Sequence, residues 1–210
     1  MAFITNINEI YVIAEIGQNH NGDINIAKKL IDQLSVYPYD EITGNRLNCV
    51  NGIKLCKRDM TEELSNEAYN ASYTGRNSFG KTYGEHREFL ELSYDEHIEL
   101  GNYIRSKNIE FVDTLCSIKA VKKLAPFVDK IKVASRDLTN IPLLKEISKY
   151  NKSVILSTGM NDLDELNEAM NILHSGKTKE IIILHCLSQY PSEYSNINLK
   201  SIKYLIDYFD

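Results

Sequence analysis

The chain has no block of lysines and arginines, no apolar run of the roughly 18 residues that a membrane-spanning helix needs, no CxxC spacing and no G-x-G-x-x-G turn. Each absence removes a class. A net charge of −5 with dispersed cations argues against nucleic acid as the main ligand. No membrane is expected as a partner, and the opening MAFITNINEI lacks the basic start and long apolar centre of a secretion signal, so the expected location is cytoplasmic. The cysteines Cys49, Cys56, Cys116 and Cys186 fall on or beside apolar runs and read as small buried hydrophobes kept reduced.

What is present is ordinary globular composition, 43% hydrophobic and 25% charged over 210 residues, enough for one substantial core. Strand-like apolar runs recur at Ile10–Ala14, Val50–Ile53, Ile109–Val112, Phe127–Ala134, Ser153–Leu156 and Ile181–Leu184. Nearly every run ends in a polar or ionisable group: Glu15, Lys54, Thr114, Lys132 with Ser135, Ser157, and His185. Helical signals fill the gaps. Ala27, Leu30, Ile31 and Leu34 share one face after Gly22; Ser93-Tyr94-Asp95-Glu96 is a capping box for a helix to about Lys107. A short helix near Ile118–Leu124 precedes Pro126, and Asn140 caps another, with Pro142 in its first turn, to about Tyr150. Asp162 caps a helix that stops before Gly176, and a last one begins near Leu199.

Strict βα alternation predicts a parallel sheet whose strand ends meet on one face, where α/β proteins place their chemistry. An open dinucleotide-binding sheet should carry the glycine-rich turn after its first strand, and here Gly17 and Gly22 stand alone. The expected fold is therefore α/β, a (β/α)8 TIM-type barrel that is incomplete, with about six βα units present.

The runs YVIAEIGQNHNGD, GIKL, KIKVASRDLTNIPLL, SVILSTGM and LHCLSQYPSEY cover almost the whole chain from about Tyr11. In that order and spacing they resemble the N-acetylneuraminate (sialic acid) synthase family. The resemblance implies an enzyme that condenses phosphoenolpyruvate with N-acetylmannosamine or a related amino sugar, releasing phosphate. It also implies a divalent metal, manganese or magnesium, and a C-terminal antifreeze-like domain that reaches into the partner's active site in a homodimer. On this likeness residues 1–210 are a barrel domain lacking the last strands and the antifreeze-like domain. The two histidine ligands of the metal would then fall beyond Asp210, so no metal-ligand set is expected within the chain. Activity of these residues alone is expected to be impaired. An alternative reading is a catalytically inactive barrel fragment that acts as a binding module or is completed by a partner chain.

Phosphoenolpyruvate carries a phosphate and a carboxylate, so its site needs fixed cations and hydroxyl donors. By resemblance these are Lys54 and Lys132 with Thr114, Ser135 and Ser157, and Glu15 with Lys132 carries the catalytic role. Glu15 is placed to stabilise positive charge or handle protons as water attacks C2. Ser188 and Tyr190 match positions facing the sugar. Where many members have Gly-Glu, this chain has Arg136-Asp137, which keeps a carboxylate, shortened by a methylene, and adds a cation on the sugar side. After Lys54 comes Leu55-Cys56-Lys57-Arg58-Asp59 in place of an apolar-aromatic run, and after Thr114 comes Leu115-Cys116-Ser117 in place of Pro-Phe. These departures bear on the acceptor sugar more than on phosphoenolpyruvate.

Asn19, His20 and His185 read as structural or supporting residues. His185 and Cys186 are neighbours on a strand end, so they point to opposite faces and cannot act on each other. Residues 58–90 show no strong period and are expected to be a loop packed over the substrate end, with Arg76, Lys81 and Arg87 in reach of anions.

Overall fold

The computed structural model describes residues 10–36 and 50–209; Cys49 lies outside them. Among the described residues six strands alternate with helices. The chain divides into two compact units between Ile131 and Lys132.

The unit from Tyr11 to Ile131 contains β1 (Ile13–Gly17), α1 (Ile24–Leu34), β2 (Gly52–Lys57), α2 (Met60–Glu63), α3 (Asn66–Asn70), α4 (Tyr83–Phe89), α5 (Tyr94–Arg105), β3 (Glu110–Leu115) and α6 (Ile118–Leu124). β1, β2 and β3 lie side by side in chain order and all parallel, with Glu15 opposite Lys54 and Cys56 opposite Thr114. Sequential parallel neighbours are what a singly wound barrel wall requires. β1 begins three residues later than its apolar run suggests. Val12 is clasped outside the ladder, its N–H donating to Asn51 Oδ1 at 2.7 Å and its carbonyl accepting from Asn51 and Gly52. Glu15 therefore lies within the strand rather than past its end.

The helices start where side chains can satisfy their first N–H groups. Asp23 caps α1, Ser93 and Glu96 form the expected capping box on α5, and Ser117 caps α6. Ala27 and Ile31 of α1 and Leu100 and Ile104 of α5 are buried, as are Ile53, Leu55 and Phe111 of the strands. α5 packs on α1, β3 and α6. Gly22 is required by its turn. Its φ is +73°, and a Cβ there would collide with the carbonyl oxygen of Phe89.

Residues 58–90 are not a plain loop. They hold α2, α3 and α4, with an isolated bridge between Ser72 and Thr82. The aromatics stack on one another, Phe79 on Phe89 at 4.0 Å between centroids and Tyr73 against His86 at 4.6 Å. This accounts for their number without a substrate. Arg87 donates to Gln18 Oε1 at 3.0 Å, which ties the segment to the turn after β1.

His20, in that turn, is 1% exposed and accepts from the Gly22 N–H through Nδ1 at 3.1 Å. Burial first, and the neighbouring His97 second, lower its pKa from 6.5 to about 4. The folded value lies below the unfolded one. The contribution to stability is thus complete above about pH 6.5 and is lost as pH falls towards 4, a penalty of at most about 3 kcal/mol. The expected result of an NMR titration is a His20 imidazole still neutral at pH 5.5; a midpoint near 6.5 would contradict the buried placement.

The unit from Lys132 onward holds the end of β4 (Lys130–Val133), α7 (Ile141–Ile147), β5 (Ser153–Ser157), α8 (Leu163–His174), β6 (Glu180–Leu184) and α9 (Lys200–Phe209). β5 and β6 pair in parallel, from Ser153 opposite Glu180 to Ser157 opposite Leu184. Every residue of β5 is buried, as its unbroken apolar run implies for a strand covered on both faces. Asn140 caps α7, with Pro142 in its first turn, and a capping box of Asp162 and Glu165 opens α8. The two helices pack together and bury Leu143, Leu144, Ile147, Leu166, Ala169 and Leu173.

Candidate active site

In the unit from Tyr11 to Ile131, the parallel register brings three predicted residues together. Lys54 lies centrally in β2, its ammonium paired with the Glu15 carboxylate from β1 and donating to Thr114 Oγ1 of β3 at 3.1 Å. Lys54 and Thr114 are largely buried, while the Glu15 side chain is 53% exposed. The result is a cation held between a carboxylate and a hydroxyl, with the carboxylate on the solvent side. An incoming anion would compete with Glu15 for Lys54.

The unit from Lys132 onward contains a second lysine–hydroxyl pair. Lys132 donates to Ser157 Oγ and to the carbonyl oxygen of Val133, the latter at 3.0 Å. Cys186 donates its thiol hydrogen to the same Ser157 oxygen at 3.3 Å. Past β5 the chain is clamped to β6, because Thr158 donates both its N–H and its hydroxyl to the carbonyl oxygen of Leu184, at 3.1 and 3.0 Å. This turn carries Gly159. A Cβ at Gly159 would lie 2.5 Å from Ser188 Oγ and 2.9 Å from Ser135 Oγ, so two predicted hydroxyls converge on one backbone position that only glycine leaves open. Asn161 fixes the arrangement, its Nδ2 donating to the carbonyl oxygens of Ser135 at 2.8 Å and Gly159 at 2.5 Å.

Gly159 and Asn161 were not singled out by the sequence reading, although both lie in or beside the run SVILSTGM. Their contributions are a missing side chain and backbone contacts, which residue chemistry alone does not advertise. Asp137 is buried in the 3-10 turn Ser135–Asp137, with Arg136 Nε 3.4 Å from its carboxylate. Tyr190 is 96% exposed in the loop after β6. His185 holds that loop through Nε2 and the carbonyl oxygen of Ile197, 2.7 Å apart.

Sequence comparison decides the family. A sequence profile described as the NeuB family matches residues 47–210. The chain belongs to that family. It is 35% identical to an N,N'-diacetyllegionaminic acid synthase of Campylobacter jejuni over 94% of this chain and 57% of that protein. It is 30% identical to an N-acetylneuraminate-9-phosphate synthase of Drosophila melanogaster over 95% of this chain and 51% of that one. The crystal structure of an N-acetylneuraminic acid (sialic acid) synthetase from Leptospira borgpetersenii superposes with a TM-score of 0.70 at 29% identity, covering 93% of this chain and 60% of that one. The fold is a partial α/β barrel of the NeuB type, and the chain spans about half the length of the curated relatives it matches.

Among the described residues no group of three or more His, Cys, Asp or Glu side chains is placed to hold a metal ion. These residues do not fit the divalent metal that the family resemblance implies, and no chemical step is derived through one. Among the described residues no helix is long and apolar enough to cross a membrane.

Proposed function

We propose that this NeuB-family chain binds phosphoenolpyruvate for condensation with an N-acetylated amino sugar, N-acetylmannosamine or a relative, giving a nonulosonic acid and phosphate. The observation that carries the reading is the repeated lysine–hydroxyl pair on parallel strands, Lys54 with Thr114 and Lys132 with Ser157. Within each unit an ammonium beside a hydroxyl suits one anionic group of the kind phosphoenolpyruvate carries. Ser135 adds a hydroxyl beside the Gly159 gap.

In the reaction, C3 of phosphoenolpyruvate bonds to the sugar aldehyde carbon, whose oxygen takes a proton. Water then adds at C2, loses a proton, and the C2–O bond to phosphate breaks. Glu15 is the group on this chain suited to stabilise the cationic centre at C2 or to accept the proton of the attacking water. Its pairing with Lys54 would give way as the ligand's anionic groups take the ammonium. Asp137, Ser188 and Tyr190 serve the sugar, and Arg136, ion-paired to Asp137, supplies a cation that favours an acceptor with an acidic or strongly polar substituent. The family resemblance implies a homodimer for the full-length protein.

The reading is tested by titrating phosphoenolpyruvate into the purified chain at low ionic strength, with pyruvate and inorganic phosphate as comparison ligands. The expected result is saturable binding that is tighter for phosphoenolpyruvate than for either comparison ligand. Equal affinity for all three, or no binding, would overturn it.

A further inference from the structure

Two cysteines 60 residues apart meet in the unit from Tyr11 to Ile131. Cys56 Sγ and Cys116 Sγ are 3.7 Å apart, at van der Waals contact, and both are thiols. The ladder brings them there. Cys56 is the register partner of Thr114, and side chains alternate faces along a strand, so Thr114 and Cys116 share the face that Cys56 presents. The Cys116 N–H donates to the carbonyl oxygen of Lys57 at 3.0 Å, so the two strands are still hydrogen-bonded at this level. Cys116 is buried, whereas Cys56 is partly exposed and open to a small reagent.

We propose that Cys56 and Cys116 are a redox-active pair, a modification site that a peroxide converts to an intrachain disulfide. A disulfide needs the sulfurs at about 2.05 Å. The sulfurs must close from 3.7 Å, and Cys116 is the first residue past the end of β3. The step balances. The Cys56 thiolate attacks one peroxide oxygen, the O–O bond breaks, and water leaves after proton uptake, giving a sulfenic acid. Cys116 sulfur then attacks the Cys56 sulfur, the S–O bond breaks, and the hydroxyl leaves with the Cys116 proton as a second water. Both sulfurs are oxidised by one electron, and both peroxide oxygens are reduced by one. Cys186 has a different fate, because its described contact is the Ser157 hydroxyl, not another thiol.

The test does not depend on catalysis. The whole folded chain is treated with hydrogen peroxide, blocked with an alkylating reagent and digested with trypsin. The expected product is a cross-link between the peptides Leu55–Lys57 and Asn108–Lys119, with the titratable thiols falling from four to two and returning to four with dithiothreitol. In Cys56→Ser the cross-link disappears while Cys186 remains open to alkylation. Should that variant fail to fold, the peptide map of the unaltered chain decides alone. Sulfinic acid at Cys56 without the cross-link, a bond from Cys49 to either cysteine, or four titratable thiols under conditions that oxidise an exposed thiol would each overturn the proposal.

Discussion

Replacing Lys132 with alanine is expected to weaken phosphoenolpyruvate binding about 100-fold, the effect of removing a charged hydrogen-bond donor worth about 1.5–3 kcal/mol from an anion site. The geometry explains why one side chain carries so much. Lys132 is partly shielded from solvent and holds its ammonium against Ser157 Oγ and the Val133 carbonyl oxygen. It is thus aimed in advance, and little conformational entropy is spent when an anion arrives. Ser157 is also 3% exposed, so the truncation takes away its ammonium partner and the hydroxyl loses its orientation. Lys132→Met separates the charge from the packing: it keeps most of the stem and should bind as poorly as Lys132→Ala while melting closer to the unaltered chain. Lys132→Arg should not rescue fully, because a planar fork cannot reproduce the point contact of an ammonium with one hydroxyl. Calorimetric titration of the three variants gives the answer. Affinity within threefold of the unaltered chain for Lys132→Ala would remove Lys132 from the site.

The strands were legible as short apolar runs, most completely in β5, where all five residues are buried. Their polar ends were legible for the same reason, since Lys54, Thr114 and Ser157 interrupt runs that are otherwise apolar. Glu15 was read at the end of its strand and lies inside it. The apolar stretch Ile10–Val12 looks like strand, whereas pairing to β2 starts only at Ile13, and the early residues are left 39–47% exposed.

The short helices between residues 58 and 90 escaped because four to seven residues are under two turns, too few to establish a 3.6-residue period. Their caps were there to be read, Thr82 with Glu85 most plainly, but caps without periodicity do not distinguish a helix from a turn. The Cys56–Cys116 contact depends on the β2–β3 register. A one-residue slip would turn Cys56 to the opposite face, so no sequence spacing announces it.

Gly159 is where a very small change should have a large effect on binding and a small one on folding. Its φ is not in the left-handed region, so alanine brings no backbone strain there, and the cost is one of space. An added methyl would lie 2.5 Å from Ser188 Oγ, 2.9 Å from Ser135 Oγ and 3.3 Å from the Cys186 carbonyl oxygen. The backbone oxygen must give by a few tenths of an ångström, and the two hydroxyls must rotate or move away. Ser188 is in an exposed loop and can do so cheaply. Ser135 has less freedom, because its carbonyl oxygen is held by Asn161, which also holds Gly159 itself. Gly159→Ala is therefore expected to unfold within about 1 kcal/mol of the unaltered chain, the usual scale for a tolerated substitution. Its phosphoenolpyruvate affinity should drop at least tenfold, because the methyl occupies the space where the hydroxyls converge. Ser135→Ala, which deletes one neutral hydrogen-bonding group and leaves the space open, should lose less, about fivefold for a bond worth about 1 kcal/mol. Gly159→Val, with two further methyl groups, should abolish measurable binding. The order of loss separates a blocked pocket from a missing donor: if Gly159→Ala binds phosphoenolpyruvate as well as Ser135→Ala or better, the gap at Gly159 is not where the ligand sits.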